Sequence, residues 1–215
     1  MEKGEMAKIE YVGKTNGEVF DLNSKEKAEE ENLQTEKVEF SLLPVLLGEN
    51  YVIKGLENAL LEMEVGEEKE LEIPAEKAYG KRESDKVETF PEKAFKEQGV
   101  QVRPGEQIMV GGQRGKVVSK GSGRVRVDFN HPLAGKDLEY WVKIVEKVED
   151  DKEIAQGILD NRLGHGELEF NEKTVTVVHK HENDGHSHTL SDEFKNRLSE
   201  ELLEHTEFEN VEFDE

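Results

Sequence analysis

Two pairs of histidines, His179-x-His181 and His186-x-His188, flank the turn-forming run Asn183-Asp184-Gly185. Imidazoles two residues apart share one face of an extended strand. Joined as a hairpin through a two- or four-residue loop, all four point the same way, a donor set that suits nickel, zinc or copper. A three-residue loop splits them, and an exposed polar hairpin is the alternative. Asp21 is a second candidate. It follows the apolar pair Val19-Phe20, where a half-buried carboxylate is expected and needs partners. Arg103, Arg114, Arg124 and Arg126 gather in one stretch and raise contact with nucleic acid or the ribosome, which would show as strong loss of binding with salt. There is no cysteine, which excludes a disulfide framework, a thiolate nucleophile and a zinc finger.

The chain that must position these groups has 215 residues, 37% charged and 34% hydrophobic, with a formal net charge of −21. That length allows one to three domains and at least one real core. The charge argues against wholesale binding of duplex nucleic acid. Glutamate dominates and lysine is plentiful, unlike the acidic proteins of high-salt cells. The longest apolar stretch, Phe40 to Leu47, is far short of the roughly 18 residues that span a bilayer. Residues 1–15 carry charges throughout and have no apolar signal core, so a soluble cytoplasmic protein without membrane contact is expected. The charge is uneven: residues 149–215 hold 20 acids and 6 bases, whereas residues 84–131 hold 6 acids and 9 bases. Three stretches of different sign suggest three units.

Met6, Ile9 and Val12 are separated from Val19, Phe20 and Leu22 by Asn16-Gly17, which reads as strand, turn, strand. Residues 25–36 are a polar bulge or short exposed helix. Val38 to Leu47 returns to strand character, with Pro44 at an edge or bulge. Gly55 to Met63 is a short amphipathic helix ended by Gly66, and Lys69 to Ile73 alternates as a half-buried strand. Residues 85–130 begin with a helix around Pro91–Gln98 and continue as glycine-punctuated strands, with Val117, Val118, Val125, Val127 and Phe129 as core. Leu138 to Val148 is a strand, and Asp150-Asp151-Lys152 marks a boundary. Beyond it, Leu168, Phe170, Val175 and Val177 alternate as strands. Ser191 is placed to cap a helix running to about Glu204, with Phe194, Leu198 and Leu202 on one face.

Three segments occur in order: Tyr11-Val12-Gly13 with Gly17-Glu18-Val19-Phe20-Asp21; Val52-Ile53-Lys54-Gly55-Leu56-Glu57 through Met63-Glu64-Val65-Gly66-Glu67; and Ile73-Pro74-Ala75-Glu76-Lys77-Ala78-Tyr79-Gly80. Together they resemble the FKBP family of peptidyl-prolyl cis/trans isomerases, in particular SlyD-like and archaeal long-type members. Those carry an inserted chaperone domain, the insert-in-flap domain, after the Ala-Tyr-Gly motif. Asn130 through Leu138 resembles the segment that returns to the isomerase domain. The resemblance implies an α+β fold, an antiparallel sheet of about five strands wrapped around a short helix, with an inserted small β-rich domain and a C-terminal α+β domain. The implied domains are 1–84 with 131–149, 85–130, and 150–215.

The resemblance also implies a site. Tyr11, Phe20, Asp21, Leu43, Val52, Ile53, Leu56, Tyr79 and Tyr140 line a pocket, with Leu56 as the floor under the proline ring and Phe20 and Tyr140 as walls. The Tyr79 hydroxyl and the Ile53 backbone N–H donate to substrate carbonyls, and Asp21, beside Tyr11, faces the rotating carbonyl. The best-known eukaryotic members have tryptophan at the Leu56 position and phenylalanine at those of Leu43 and Tyr140; leucine at the floor is common among SlyD-like proteins. No cofactor is required by this chemistry. The insert is expected to hold unfolded chains through Phe90, Phe95, Val100, Val102, Ile108, Met109 and Val110. Unfolded or partly folded polypeptides and proline-containing peptides are then the partners, nucleic acid is not, and a monomer is expected. The alternative is a non-catalytic chaperone or scaffold that only binds proline-containing segments, which a prolyl-peptide assay separates from an isomerase.

Overall fold

The computed structural model describes residues 1–35, 38–164, 166–178 and 190–214. In chain order the first elements are β1 (Met6–Thr15), β2 (Glu18–Leu22), α1 (Lys25–Glu30), β3 (Leu43–Leu46), α2 (Lys54–Leu60) and β4 (Glu68–Ile73). Then come β5 (Val87–Pro91), α3 (Glu92–Glu97), β6 (Gln107–Val110), β7 (Gln113–Gly121), β8 (Arg124–Asp128) and β9 (Leu138–Val148). The last are α4 (Asp151–Leu163), β10 (Glu167–Asn171), β11 (Thr174–Val178), α5 (Asp192–His205) and β12 (Asn210–Asp214). They form two compact units, Met1–Ile73 with Leu138–Glu215, and Pro74–Asp137. No helix among the described residues is long and apolar enough to cross a membrane.

The first unit is built on an antiparallel sheet in the order β2-β1-β9-β4, with β3 also pairing β1. Asn16 and Gly17 both take positive φ, 53° and 77°, the geometry a tight hairpin between right-twisted strands demands. Alternation along β9 sends Leu138, Tyr140, Val142 and Ile144 inward, onto the same side as buried Ile9 of β1 and Ile73 of β4. Helix α2 lays Leu56, Ala59 and Leu60 into that core. Gly55 is required there, because a Cβ would stand 2.4 Å from Ile73 Cγ2. Pro44 sits in β3 opposite Lys8, at the sheet edge where a missing N–H is tolerated.

The C-terminal segment joins this unit rather than trailing from it. Asp150 does not mark a break; its carboxylate accepts from the N–H groups of Lys152 and Glu153 and starts α4, which ends at Gly164 in the left-handed region at φ 76°. Ala155, Ile158 and Leu159 of α4 and Leu198 and Leu202 of α5 share one core with Met6 of β1, Leu46 of β3 and Val148 of β9. A small sheet, β10-β11-β12, closes it, with β10 antiparallel and β12 parallel to β11. Ser191 caps α5 through the Phe194 N–H.

The second unit carries a four-stranded antiparallel sheet, β5-β8-β7-β6, around Phe95, Val102, Val117, Val125 and Val127. Val118, expected in that core, is 42% exposed. The register slips between Val117 and Ser119, so Val118 is the extra residue of a bulge and turns outward. Residues 80–83 and 128–135 tie together at the base. Gly135 N–H donates to Gly80 O at 2.8 Å, Glu83 N–H donates to Asn130 Oδ1 at 2.8 Å, and Arg82 Nη2 donates to Asp128 Oδ2 at 2.6 Å. Two opposing influences act on Asp128: burial raises its pKa, while hydrogen bonds from Asn130 and Arg82 lower it and prevail, leaving it below the usual carboxylate value.

Candidate functional site

Consecutive residues of a regular strand face opposite sides of a sheet, so Phe20 and Asp21 should not point into one site. They do, because of a bulge. Gly13 pairs with Asp21 and Lys14 with Val19, which leaves Phe20 as the unpaired extra residue of β2. Both side chains thereby reach the face occupied by Tyr11 and Tyr140. The Tyr11 hydroxyl donates to Asp21 Oδ2 at 2.8 Å. The Tyr140 ring, 6% exposed, stands 6.2 Å from that of Tyr11 and 6.0 Å from that of Phe20, edge-on to the latter. Such tilted and edge-to-face pairs suit the ring quadrupoles.

Gly13 makes room for these rings. A Cβ there would stand 2.6 Å from Phe20 Cζ and 3.1 Å from Tyr140 Cζ. An isolated glycine within a strand is the signal for such a close approach, and the sequence reading used Gly13 only as part of a motif. Asn23 also went unremarked. Its Oδ1 accepts from the Tyr11 N–H at 2.6 Å, and its Nδ2 donates to Ile9 O at 2.9 Å and Ser41 O at 3.0 Å. It fastens the strand that carries Tyr11 to the segment entering β3.

The half-buried setting expected for Asp21 is corrected: β2 is an edge strand and Asp21 is exposed on it, with Tyr11 as its partner. Leu56, in the first turn of α2, is 2% exposed; Leu43, Val52 and Ile53 are half-buried. Ile53 precedes α2 with φ −59° and ψ 145°, and its carbonyl accepts from the N–H groups of Leu56 and Glu57. Among the described residues no acceptor meets its own N–H. Tyr79 belongs to the second unit, where its ring stacks on His131 at 3.9 Å and 8°. His131 had no assigned part.

A cleft of about 550 Å³ in the first unit is lined by Tyr140 together with Lys14, Lys27, Glu70, Glu139 and Trp141 among others. Its charged walls do not suit a proline ring. In the second unit a groove of about 500 Å³ is lined by Phe95, Val100, Ile108 and Met109. Met109 is 63% and Val100 40% exposed, whereas Phe95, which also lines the groove, and Val102 are buried core. His179, His181, His186 and His188 lie outside the described residues. Among the described residues no cluster of three or more histidine or carboxylate side chains is arranged to hold a metal ion.

An antiparallel sheet packed on a short helix, with three aromatic rings gathered beside a carboxylate, can present an apolar, non-nucleophilic surface to a peptide side chain. Comparison with known proteins makes this specific. Residues 1–110 match the family described as FKBP-type peptidyl-prolyl cis-trans isomerase, and residues 89–133 match the FKBP26 IF domain. The chain is 33% identical over 144 residues to the short-type peptidyl-prolyl cis-trans isomerase of Methanocaldococcus jannaschii, covering 67% of this chain and 92% of that one. It is 31% identical over 144 residues to SlyD of Helicobacter pylori, covering 65% and 70%. With SlyD of Haemophilus influenzae it is 35% identical over 121 residues, covering 54% and 63%. The chain belongs to the FKBP-type peptidyl-prolyl cis-trans isomerases. Within that family it carries an insert-in-flap domain, and its substrates are polypeptides.

Proposed function

We propose that the chain turns X–Pro bonds on the face made by Tyr11, Phe20, Asp21, Leu43, Val52, Ile53, Leu56 and Tyr140. The observation that carries this reading is the bulge that gathers Phe20 and Asp21 beside Tyr11 and Tyr140 over Gly13. Rotation of a peptide bond meets a barrier of about 18–20 kcal/mol. Resonance makes the planar amide polar, and the twisted state has lost that conjugation. A water-poor apolar wall therefore favours the twisted form over the planar one, and each ~1.4 kcal/mol of that preference is a tenfold rate. No covalent bond is made or broken, so shape and polarity suffice. Leu56 is the floor for the proline ring, and Phe20 and Tyr140 are its walls. The Ile53 N–H donates to a substrate carbonyl, and the Tyr11–Asp21 pair presents negative charge to the rotating one. Tyr79, by its place in Ala78-Tyr79-Gly80, is the second proposed donor.

The insert supplies capture. Val100, Ile108 and Met109 offer apolar surface to unfolded segments, and the flexible thioether of Met109 adapts to varied ones. Tethering a captured segment to the same chain as the isomerase site raises its effective concentration there. The four histidines of the tail are the proposed holders of a nickel, zinc or copper ion. A prolyl-peptide assay of wild type against the Asp21→Asn, Tyr79→Phe double variant tests the site. A loss of kcat/KM of at least tenfold supports it, and full activity in a folded double variant overturns it.

A further inference from the structure

The segment Gly48–Ile53 joins β3 to α2 and carries two residues of the proposed cleft, Val52 and Ile53. From helix α2 it is held by Glu57, whose Oε1 accepts from the N–H groups of Gly48 at 3.1 Å and Asn50 at 3.2 Å. From the other side it is held by the C-terminal helices. The Tyr51 hydroxyl donates to Glu201 Oε1 of α5 at 2.7 Å. Arg162 of α4 forms a two-pronged pair with the same carboxylate, Nε to Oε2 at 2.7 Å and Nη2 to Oε1 at 2.8 Å. The Arg162 guanidinium also lies over the Tyr51 ring at 4.5 Å, and its Nη2 donates to Glu49 O at 3.4 Å. The buried His205 Nε2 of α5 stands 3.8 Å from Glu49 Oε1. The Glu201 side chain is 12% exposed and that of Arg162 36%, so the carboxylate is the sheltered partner of the pair. Burial and the adjoining Glu201 carboxylate push the Tyr51 hydroxyl well above its usual pKa, so it remains a proton donor to Glu201.

Nothing in the rotation of an amide calls for an arginine–carboxylate–tyrosine triad. Its location is the informative point: it clamps the residue next to Val52 and two before Ile53. We propose that Tyr51, Arg162 and Glu201 are positioning residues for the isomerase reaction, through which the C-terminal helices fix the backbone that presents Val52 and the Ile53 N–H to substrate. The inference rests on the reading of Ile53 as a substrate donor. A contact made to bound substrate and transition state alike changes KM rather than kcat, so loosening the clamp should raise KM.

The test uses the full chain and short prolyl peptides. Tyr51→Phe keeps the ring under Arg162 and removes only the hydroxyl; Glu201→Gln weakens the arginine fork. Each is expected to raise KM about three- to tenfold with kcat within twofold of wild type. The double variant should be no worse than the more damaged single one, because both act through one network. Ile158→Val, in the core against which the Tyr51 ring packs, serves as the control that trims this packing while leaving every hydrogen-bonding group of the clamp in place, and is expected to leave KM unchanged. The Ile53 amide proton–nitrogen resonance is expected to shift in Tyr51→Phe and not in Ile158→Val. Wild-type KM in both clamp variants overturns the proposal, as does an equal rise in Ile158→Val. Asp21→Asn, measured alongside, separates the two levels. Its loss of activity beside intact clamp variants sinks the positioning role alone, whereas full activity in all of them sinks the assignment of the cleft as well.

Discussion

Gly13→Ala adds one carbon at the back of the aromatic frame, and its effect can be worked from distances. The new Cβ would lie 2.6 Å from Phe20 Cζ, 3.0 Å from Phe20 Cε2 and 3.1 Å from Tyr140 Cζ. Carbon atoms rest at about 3.5–4.0 Å, so the tip of the Phe20 ring must retreat by about 1 Å. Gly13 does not have a positive φ, so alanine brings no backbone strain and the perturbation is steric. Overpacking of this kind costs about 1–3 kcal/mol. Phe20 is only half-buried and can swing outward, which places the stability loss near the lower end. Activity should suffer more, because a 1 Å misplacement of a positioning group can lower a rate by about a hundredfold. We expect kcat/KM for a short prolyl peptide to fall about 10- to 100-fold, with a small drop in Tm. Gly121→Ala is the matched control: nothing lies within 4 Å of its Cβ position, and its activity should equal wild type. Full activity in folded Gly13→Ala would refute the idea that Phe20 and Tyr140 wall the cleft.

Removing residues 85–130 should slow prolyl-limited refolding of a protein substrate at least tenfold while changing turnover of a short peptide less than threefold; equal losses on both would count against capture by the insert. Met109→Ser with Val100→Ser should reproduce most of the refolding defect, since both side chains are exposed and neither is core. Asp128 has a folded-state pKa below its ordinary 3.8. Its contribution is therefore present above about pH 4 and is lost as pH falls through the lower folded value. Amide exchange at Glu83 and Asn130 should accelerate over that acid window in wild type and show no such step in Asp128→Asn. Zinc titration of the full chain, native against all four of His179, His181, His186 and His188 replaced, should show a site lost in the variant; identical affinity dismisses the histidine set.

How far the sequence could be read depended on whether a feature was local. The β1–β2 hairpin announces itself through Asn16-Gly17, and α5 through Ser191 and the Phe194, Leu198, Leu202 stripe, because turn and cap chemistry act within a few residues. Helix α4 escaped notice because Asp150-Asp151-Lys152 looks like a linker and Gly157 interrupts the pattern. That glycine is explained only by tertiary contact: a Cβ would stand 2.7 Å from Met6 Sδ and 3.0 Å from Pro44 Cβ. β5 was missed because Val-Glu-Thr-Phe ends at Pro91 and runs straight into α3. Tyr11, Phe20, Asp21 and Tyr140 were legible as parts of an ordered motif, yet their convergence was not. Strand alternation read literally sends Phe20 and Asp21 apart, and likewise buries Val118. A bulge is fixed by which residue pairs across the strands, and that partner is far away in sequence.

The same distinction between local and distant determinants bears on how the chain's parts depend on one another. The insert owns its core: Phe95, Val102, Val117, Val125 and Val127 pack with Phe90, Ile108, Val110 and Phe129, all from the second unit. The C-terminal segment does not, since its core is completed by Met6, Leu46 and Val148 of the isomerase sheet. Truncation after β9 would uncover those three side chains, each worth about 1.5–3 kcal/mol when buried, and would cut the Tyr51–Glu201 bond in the same stroke. That sum is comparable with the whole stability of a typical domain, about 5–15 kcal/mol. The acidity of residues 149–215 therefore describes a solvated outer surface, while the inner face of that segment belongs to the enzyme's own fold. A chain lacking it is expected to fail as an isomerase through its folding, and single-group changes such as Tyr51→Phe and Glu201→Gln separate that failure from a role in the cleft.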